Sequence, residues 1–287
     1  MERELYREAS AVLAQLPHLS SRRCVYDDRR IVEVLLWAAV HDRPICWACQ
    51  ARHWPLWLRG RPLPSQSQMS RRLRRLSVRH LLQRLYGQLR DRLPRSLLQY
   101  IDGKPLVVGG CSKDPDAKFG RVAGCIGRGY KLVCLVDEHG AVEAWNMASM
   151  NVPEHVQAEA LLGQVAEGQC VVADSAYDKN ALYERAGRRG VQWVAARKRR
   201  AKGLGHRRHS AYRLAAIQQM AQASGQALLR GRTAIERSYG HLTSFAGGLA
   251  PLPAWVRRPH RVAVWVQAKL ILDAVRRIRL QNRRQTG

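Results

Sequence analysis

The central third of the chain contains several short apolar runs that end at a charged or turn residue, and these runs constrain the fold more than any other feature. Their lengths and boundaries predict strands at residues 97–102, 131–137, 141–146, 170–174 and 191–196. A turn at 138–140 joins the second and third runs as a hairpin. Helical patterns at 154–165 and 178–188, the latter capped by Asp178, separate the last three runs. This order predicts an α/β fold with a mixed sheet flanked by helices.

The first 95 residues have the pattern of a helical region. Apolar spacing and proline punctuation predict helical segments at 31–40, 45–58, 65–76 and 78–89. Ser65 is suited to cap the third segment, in which Met69, Leu73 and Leu76 form one apolar stripe. We therefore expect a helical unit that precedes the sheet.

The residues after the last predicted strand are strongly basic. Residues 197–231 have little apolar pattern, so we expect an insertion or a mobile loop there. A long helix is predicted at 262–280, and its C-terminal end is rich in arginine. These patterns divide the chain into a helical region at 1–95 and an α/β domain at 96–287 that carries the insertion and the basic C-terminal helix.

The charge of the chain points to a polyanionic partner, either nucleic acid or an anionic membrane surface. The formal net charge is +27 and the pI is about 11.0. The net charge is +11 over residues 1–95, −2 over 96–196 and +18 over 197–287. No apolar run approaches the ~20 residues that cross a bilayer, so we expect a cytoplasmic protein with no membrane association.

Four arginines in the helical region, Arg71, Arg72, Arg74 and Arg75, surround the apolar stripe of the predicted 65–76 helix. One interpretation is an ordinary solvated basic face. The other is the recognition helix of a helix-turn-helix, in which these cations meet DNA phosphates. The short turn before the segment and the basic character of the chain favour the second interpretation.

The cysteines do not indicate a disulfide framework, because there are seven of them at irregular spacings. Cys46 and Cys49 form a CxxC pair with His41 and His53 nearby. No second pair follows, and structural zinc sites usually have four well-spaced ligands. We therefore expect small buried apolar residues here, with zinc as the alternative.

Three acidic residues stand out by position. Asp102 and Asp174 each end a predicted strand, where side chains reach the edge of a sheet, and Glu236 is one of only two acids after Ala196. Converging carboxylates need cations, and hard oxygen ligands favour Mg²⁺ or Mn²⁺, which can activate a nucleophile at a phosphodiester. The alternatives are a turn residue before Gly103, a turn or cap residue at 174, and an ion pair of Glu236 with Arg232.

Several motifs occur together in one order along the chain. They are Asp102-Gly103, Gly127-Arg-Gly-Tyr-Lys-Leu132, Val136-Asp-Glu-His-Gly140, Asn151-Val-Pro-Glu-His155, Asp174-Ser-Ala-Tyr-Asp178 and Arg232-Thr-Ala-Ile-Glu236-Arg237. With these motifs the chain resembles the DDE transposases of bacterial insertion sequences, which have a ribonuclease-H-like catalytic domain. The resemblance covers about residues 96–275, and residues 25–95 more loosely resemble the helical DNA-binding segment of that family.

The resemblance implies a site and a cofactor. It implies that Asp102, Asp174 and Glu236 are catalytic and bind Mg²⁺ or Mn²⁺, and that Arg232 contacts a DNA phosphate. It also implies a ribonuclease-H-like fold for the sheet domain.

The chain departs from the pattern of many relatives at two positions. Leu229 stands where they have tyrosine, and Thr243 stands where they have a lysine that grips DNA. Arg237 and His241 are candidates to replace part of that lysine's contact with DNA.

The resulting hypothesis is a transposase that binds the ends of an insertion element and catalyses metal-dependent DNA cleavage and strand transfer. Its partners would be element ends and target DNA, on which it would assemble as a homodimer or a higher oligomer at the bacterial nucleoid. Two alternatives are a catalytically inactive or repurposed DNA-binding protein and a ribonuclease-H-like nuclease without transposition.

Overall fold

The computed structural model describes residues 1–17, 25–122, 124–197, 203–204, 208–244, 249 and 251–286 of the 287-residue chain. The chain forms two compact units. The first comprises Met1–Leu93, Leu242–Leu249 and Pro253–Gly287, and the second comprises Pro94–His241 and Ala250–Leu252. Within the described ranges, no helix combines the length and the apolar character needed to cross a membrane.

The secondary structure follows in chain order. The helices are α1 Glu2–Gln15, α2 Asp28–Val40, α3 Ile45–Ala48, α4 Leu56–Arg59, α5 Gln66–Arg72, α6 Leu76–Arg90, α7 Glu154–Leu162, α8 Asn180–Gly187, α9 Ala211–Ala221, α10 Ala223–Arg230, α11 Thr233–Ser244 and α12 Pro259–Thr286. The strands are β1 Leu98–Val107, β2 Lys118–Val122, β3 Cys125–Asp137, β4 Val142–Ser149, β5 Cys170–Ala173 and β6 Gln192–Ala195. Short 3₁₀ helices lie at Ala51–His53 and Ser175–Tyr177.

Helix α2 forms the centre of the helical unit. Its N-cap is Asp27, whose carboxylate accepts a hydrogen bond from Arg30 N at 2.7 Å. Residues 34–40 are all buried, as the continuous apolar run predicts. Helices α1, α6 and α12 pack against α2, which confirms the predicted buried helix.

Helix α12 packs with the helical unit, although the sequence pattern assigned it to the α/β domain. It contacts α1, α2 and α6 through an apolar stripe that includes Val262, Val266 and Leu270. Lys269 on the same helix donates to Ala39 O at 2.7 Å and to Asp42 Oδ1 at 2.5 Å. The unit therefore combines residues from both ends of the chain, and residue spacing alone does not indicate such a long-range contact.

The predicted 65–76 helix is shorter in the structure, and the predicted 78–89 helix is longer. Ser65 caps α5 with a capping box to Gln68, but α5 ends at Arg72, and α6 already begins at Leu76. Met69 and Leu73 are buried as expected, whereas Leu76 is exposed because it opens α6 and does not continue the α5 stripe.

The second unit contains a six-stranded mixed sheet. Its order is β2-β3-β1-β5-β6, with β4 also paired to β3. Strand β1 runs antiparallel to β3 and parallel to β5, and β5 runs parallel to β6. Helices α7 and α8 cover one face, where Ile101, Val133, Val171 and Leu182 belong to a common apolar core. This mixed sheet with flanking helices confirms the α/β, ribonuclease-H-like fold.

Three details of this unit differ from the sequence predictions. Strand β1 continues beyond Asp102 to Val107, because its pairing with β3 extends that far. Lys179 is the N-cap of α8, while Asp178 forms an ion pair with Arg213 at 2.7 Å. Part of the predicted insertion or mobile loop, residues 211–230, forms helices α9 and α10, whereas 198–202 and 205–207 lie outside the described residues. Strand β2 of this unit and helix α1 of the first unit were not predicted.

Candidate active site

Asp102 lies on β1, and Asp174 directly follows the neighbouring parallel strand β5. The parallel pairing of these two strands ends at Tyr100 and Val172, two residues before each aspartate. The negative charge of Asp174 contributes to raising the pKa of Asp102. The structure therefore brings together two of the three acids identified in the sequence.

The Asp102 carboxylate is held on both oxygens. Its Oδ1 accepts a hydrogen bond from Gly103 N at 2.8 Å, and its Oδ2 lies 3.3 Å from Arg232 Nη2. Burial raises its pKa to about 6, although the Gly103 hydrogen bond and the Arg232 charge oppose this shift. Asp102 is therefore a desolvated carboxylate whose negative charge is only partly compensated.

Asp174 also has a local structural role. Its Oδ1 accepts a hydrogen bond from Ala176 N at 2.7 Å and caps the short 3₁₀ helix that follows β5. The interpretation of Asp174 as a cap residue is thus correct for one of its two carboxylate oxygens. The side chain remains partly exposed, so the cap does not prevent a second role.

Glu236 lies on α11, which confirms that the third acidic motif is helical. Its side chain is exposed, while the neighbouring Ile235 is buried. Arg232, which the alternative interpretation paired with Glu236, contacts Asp102. Two other residues of α11 attach the helix to the sheet unit. Ser238 Oγ donates to Gly140 O at 2.7 Å, and Tyr239 OH donates to Asp102 O at 2.5 Å.

The other five arginines that the sequence analysis proposed for DNA binding differ in their exposure. Arg71, Arg74, Arg75 and Arg237 are exposed. Arg72 is largely buried, and it lies 2.5 Å from Asp28 Oδ1 and donates to Tyr26 O at 2.8 Å. Arg72 therefore holds α5 against the start of α2, whereas the other three arginines of the cluster are accessible to a partner.

Two residues near Asp102 were not identified from the sequence. Glu154 begins α7, and a Cβ added at Gly103 would lie 2.8 Å from its carboxylate, which pairs with Lys131 at 2.9 Å. Tyr177 is fully buried, and its burial together with the nearby charges of Glu154, Asp102 and Asp174 raises the pKa of its hydroxyl. The motif at 151–155 contains Glu154, but nothing in its spacing indicates that the side chain reaches β1.

The donor set near Asp102 suits a hard divalent cation. Asp102 and Asp174 supply carboxylate oxygens, which Mg²⁺ and Mn²⁺ prefer, and a guanidinium already lies against Asp102. Across the described part of the chain, however, no three His, Cys, Asp or Glu side chains are grouped closely enough to hold a metal ion. The two aspartates fit such an ion, and Glu236 is not gathered with them.

A protein-family model described as a transposase DDE domain matches residues 99–252, which is more than half of the chain. The matched region contains Asp102, Asp174 and Glu236, together with all six strands except the first residue of β1. A comparison with curated proteins gave no match.

Proposed function

Because the chain belongs to the DDE transposase family, we propose that it binds the ends of an insertion element, cleaves DNA there and joins the cleaved end to target DNA. The observation that carries this proposal is the proximity of Asp102 on β1 to Asp174, which directly follows the adjacent parallel strand β5 and whose charge helps to raise the pKa of Asp102. These two carboxylates and Glu236 are the proposed ligands of Mg²⁺ or Mn²⁺. Divalent cations bound there would stabilise negative charge on the phosphate and lower the pKa of the attacking water.

The proposed chemistry has two steps at one site. In cleavage, a water oxygen forms a bond to the scissile phosphorus, and the bond to the 3′ oxygen breaks and leaves a 3′-hydroxyl. In strand transfer, that hydroxyl loses its proton and attacks a target phosphodiester, whose own 3′ oxygen leaves. In this proposal Asp102 and Asp174 orient the reacting groups, and Glu236 on α11 is the third ligand.

Arg232 and the exposed arginines are assigned to the DNA. Arg232 partly compensates the charge of Asp102 in the absence of DNA, and its guanidinium is suited to donate to a phosphate oxygen when DNA is bound. Arg237 is exposed on α11 next to Glu236. Arg71, Arg74 and Arg75 are proposed to bind the element end, and we propose assembly of two or more copies on DNA at the nucleoid.

The test compares Asp102→Asn, Asp174→Asn and Glu236→Gln with the unmodified chain. Each amide keeps the shape of the side chain and removes the charge that binds a cation. We expect every variant to lose at least a hundredfold of the Mg²⁺-dependent cleavage of a plasmid that carries the coding region with its flanking DNA. Binding of the same DNA in gel shifts should remain within about threefold.

The outcome separates the candidate functions. A variant that keeps near-normal cleavage would remove its residue from the site. DNA binding by the unmodified chain without cleavage in Mg²⁺ or Mn²⁺ would instead support a DNA-binding protein without catalysis. This alternative is favoured by the position of Glu236, which the described structure does not group with the two aspartates. Cleavage without joining to a target would support a nuclease.

A further inference from the structure

The hydroxyl of Tyr239 connects α11 to the two central strands at Asp102. Asp102 on β1 is paired with Cys134 on β3. Tyr239 OH donates to Asp102 O at 2.5 Å and accepts from Cys134 N at 3.2 Å. The side chain is almost completely buried, so water does not compete for these backbone groups. One hydroxyl therefore bridges both strands at the backbone of a proposed metal ligand.

The position of this bridge on α11 is relevant to Glu236. Tyr239 follows Glu236 by three residues, a rise of about 4.5 Å along the helix, and residues at this spacing are neighbours on a helix. Arg232, about one turn before Glu236, contacts the Asp102 carboxylate at 3.3 Å. Glu236 thus lies between two residues that both contact Asp102, one at its side chain and one at its backbone.

We propose that Tyr239 is a positioning residue whose hydroxyl fixes Glu236 relative to Asp102. This inference rests on the proposed function of Glu236 as a ligand in that site. A phenylalanine would fill the same space, but it would leave Asp102 O and Cys134 N without this bridge, so α11 would lose its attachment at the site while it kept its apolar contacts. The effect would appear in metal affinity and in turnover.

Ser238 provides a matched control on the same helix. Its side chain is buried, and its hydroxyl donates to Gly140 O at 2.7 Å in the turn between β3 and β4. Ser238→Ala, like Tyr239→Phe, removes one buried hydroxyl that attaches α11 to backbone of the sheet unit. Of these two hydroxyls, only that of Tyr239 contacts Asp102. A difference between the two variants therefore measures the effect of the contact with Asp102.

The experiment uses the full chain with Tyr239→Phe, Ser238→Ala, Glu236→Gln and the double variant Glu236→Gln with Tyr239→Phe. Mn²⁺ binding is measured by calorimetry without DNA, and plasmid cleavage is measured over a range of Mg²⁺ concentrations. We expect Tyr239→Phe to weaken Mn²⁺ binding about three- to tenfold and to raise the half-saturating Mg²⁺ concentration similarly. Ser238→Ala should change either value by less than twofold, and the double variant should bind Mn²⁺ like Glu236→Gln, since Tyr239 acts through Glu236.

Three results would overturn the inference. Equal effects of Tyr239→Phe and Ser238→Ala would assign both hydroxyls to general attachment of α11, while the function of Glu236 would stand. Loss of folding in Tyr239→Phe alone, seen by circular dichroism, would assign the hydroxyl to stability. Unchanged Mn²⁺ binding and cleavage in Glu236→Gln would remove Glu236 from the site, and the proposed positioning role of Tyr239 would then also be rejected.

Discussion

The arrangement that we propose for catalysis at Asp102 is unfavourable for the metal-free fold. The carboxylate is desolvated next to Asp174 and Glu154, and neither the hydrogen bond from Gly103 N nor the contact with Arg232 at 3.3 Å restores its usual pKa. A cation bound by Asp102 and Asp174 would compensate this charge. Such strain is common where a site is prepared for a ligand that arrives later.

The pKa of Asp102 predicts a pH-dependent stability in EDTA. Its folded pKa of about 6 lies above the ordinary value of 3.8, so protonation favours the folded state. The stabilising contribution is complete below about pH 4 and is lost as the pH rises through about 6. Above that pH the ionised group costs about 1–3 kcal/mol, from about 1.4 kcal/mol per pKa unit with a reduction for partial exposure.

Asp102→Asn should therefore raise the melting temperature of the metal-free protein at pH 7.5 by several degrees, while it abolishes cleavage. The gain should shrink towards pH 4.5, and thermal unfolding at both pH values measures it. A gain of the same size at pH 4.5 and 7.5 would show that removal of the charge is not its source.

At the scale of the elements, one buried ion pair joins α12 to the end of α2. Lys269 is 4% exposed, and burial lowers its pKa although Asp42 opposes this shift. Asp42 has a positive φ of 49°, a conformation that asparagine also adopts readily. Asp42→Asn should destabilise the protein by about 1–3 kcal/mol, because it leaves a buried ammonium group without its counter-charge.

Adding Lys269→Met to Asp42→Asn should recover most of that loss, since an apolar side chain of similar length needs no counter-charge. Urea unfolding of the single and double variants provides the measurement. A double variant that is less stable than Asp42→Asn would mean that the lysine contributes mainly through its bond to Ala39 O.

The centre of β3 tolerates only glycine at position 129. A Cβ there would lie 2.1 Å from Leu106 O on β1, a backbone atom that cannot move alone. Gly129→Ala should therefore destabilise the protein by about 1–3 kcal/mol or more. Gly109→Ala is the matched control, because a Cβ at Gly109 meets nothing within 4 Å. The free energy of unfolding of both variants is measured by chemical unfolding. Similar losses of stability in both would mean that the close approach of Gly129 to Leu106 O does not determine the effect.

Five of the six described strands were predictable because their apolar runs are short and bounded by turn residues, whereas β2 has no such run. The extension of β1 past Asp102 was not, because Gly103 and Pro105 favour a turn locally, whereas pairing with β3 determines the outcome. Helices α9 and α10 were not predicted because they have few buried residues and so lack a clear apolar stripe, although their alanine and glutamine content favours a helix. Asp102 and Asp174 were proposed from their positions after apolar runs, but the contact of Tyr239 with Asp102 spans 137 residues and leaves no local pattern.

For the whole molecule, charge dominates the expected behaviour with DNA. The net charge of +27 is concentrated before residue 96 and after residue 196, while the segment between them has a net charge of −2. Lysine and arginine contacts with phosphates release condensed counterions, so DNA affinity should fall steeply with salt. The net charge does not identify which arginines would bind DNA. The structure, however, distinguishes exposed arginines from those that already form ion pairs within the protein.

The triple variant with glutamine at Arg71, Arg74 and Arg75 tests this separation. All three side chains are exposed, so the variant should fold normally and bind DNA more weakly, with a salt dependence of log affinity reduced by up to about 2.7 if each contacts one phosphate. Arg72→Gln should instead lower the melting temperature, because it breaks the pair with Asp28.

Glutamine at Arg121, Arg188 and Arg189 is the equal-charge control, since these arginines are also exposed but lie outside the α5–α6 region. Fluorescence anisotropy with a labelled duplex from the DNA that flanks the coding region, at 50 to 300 mM salt, gives both slopes. We expect the control to change the slope by much less than the triple variant, because it removes charge without removing the proposed contacts. Equal slopes would mean that the 71–75 cluster contributes only its general charge, and the recognition interpretation of α5 and α6 would be withdrawn.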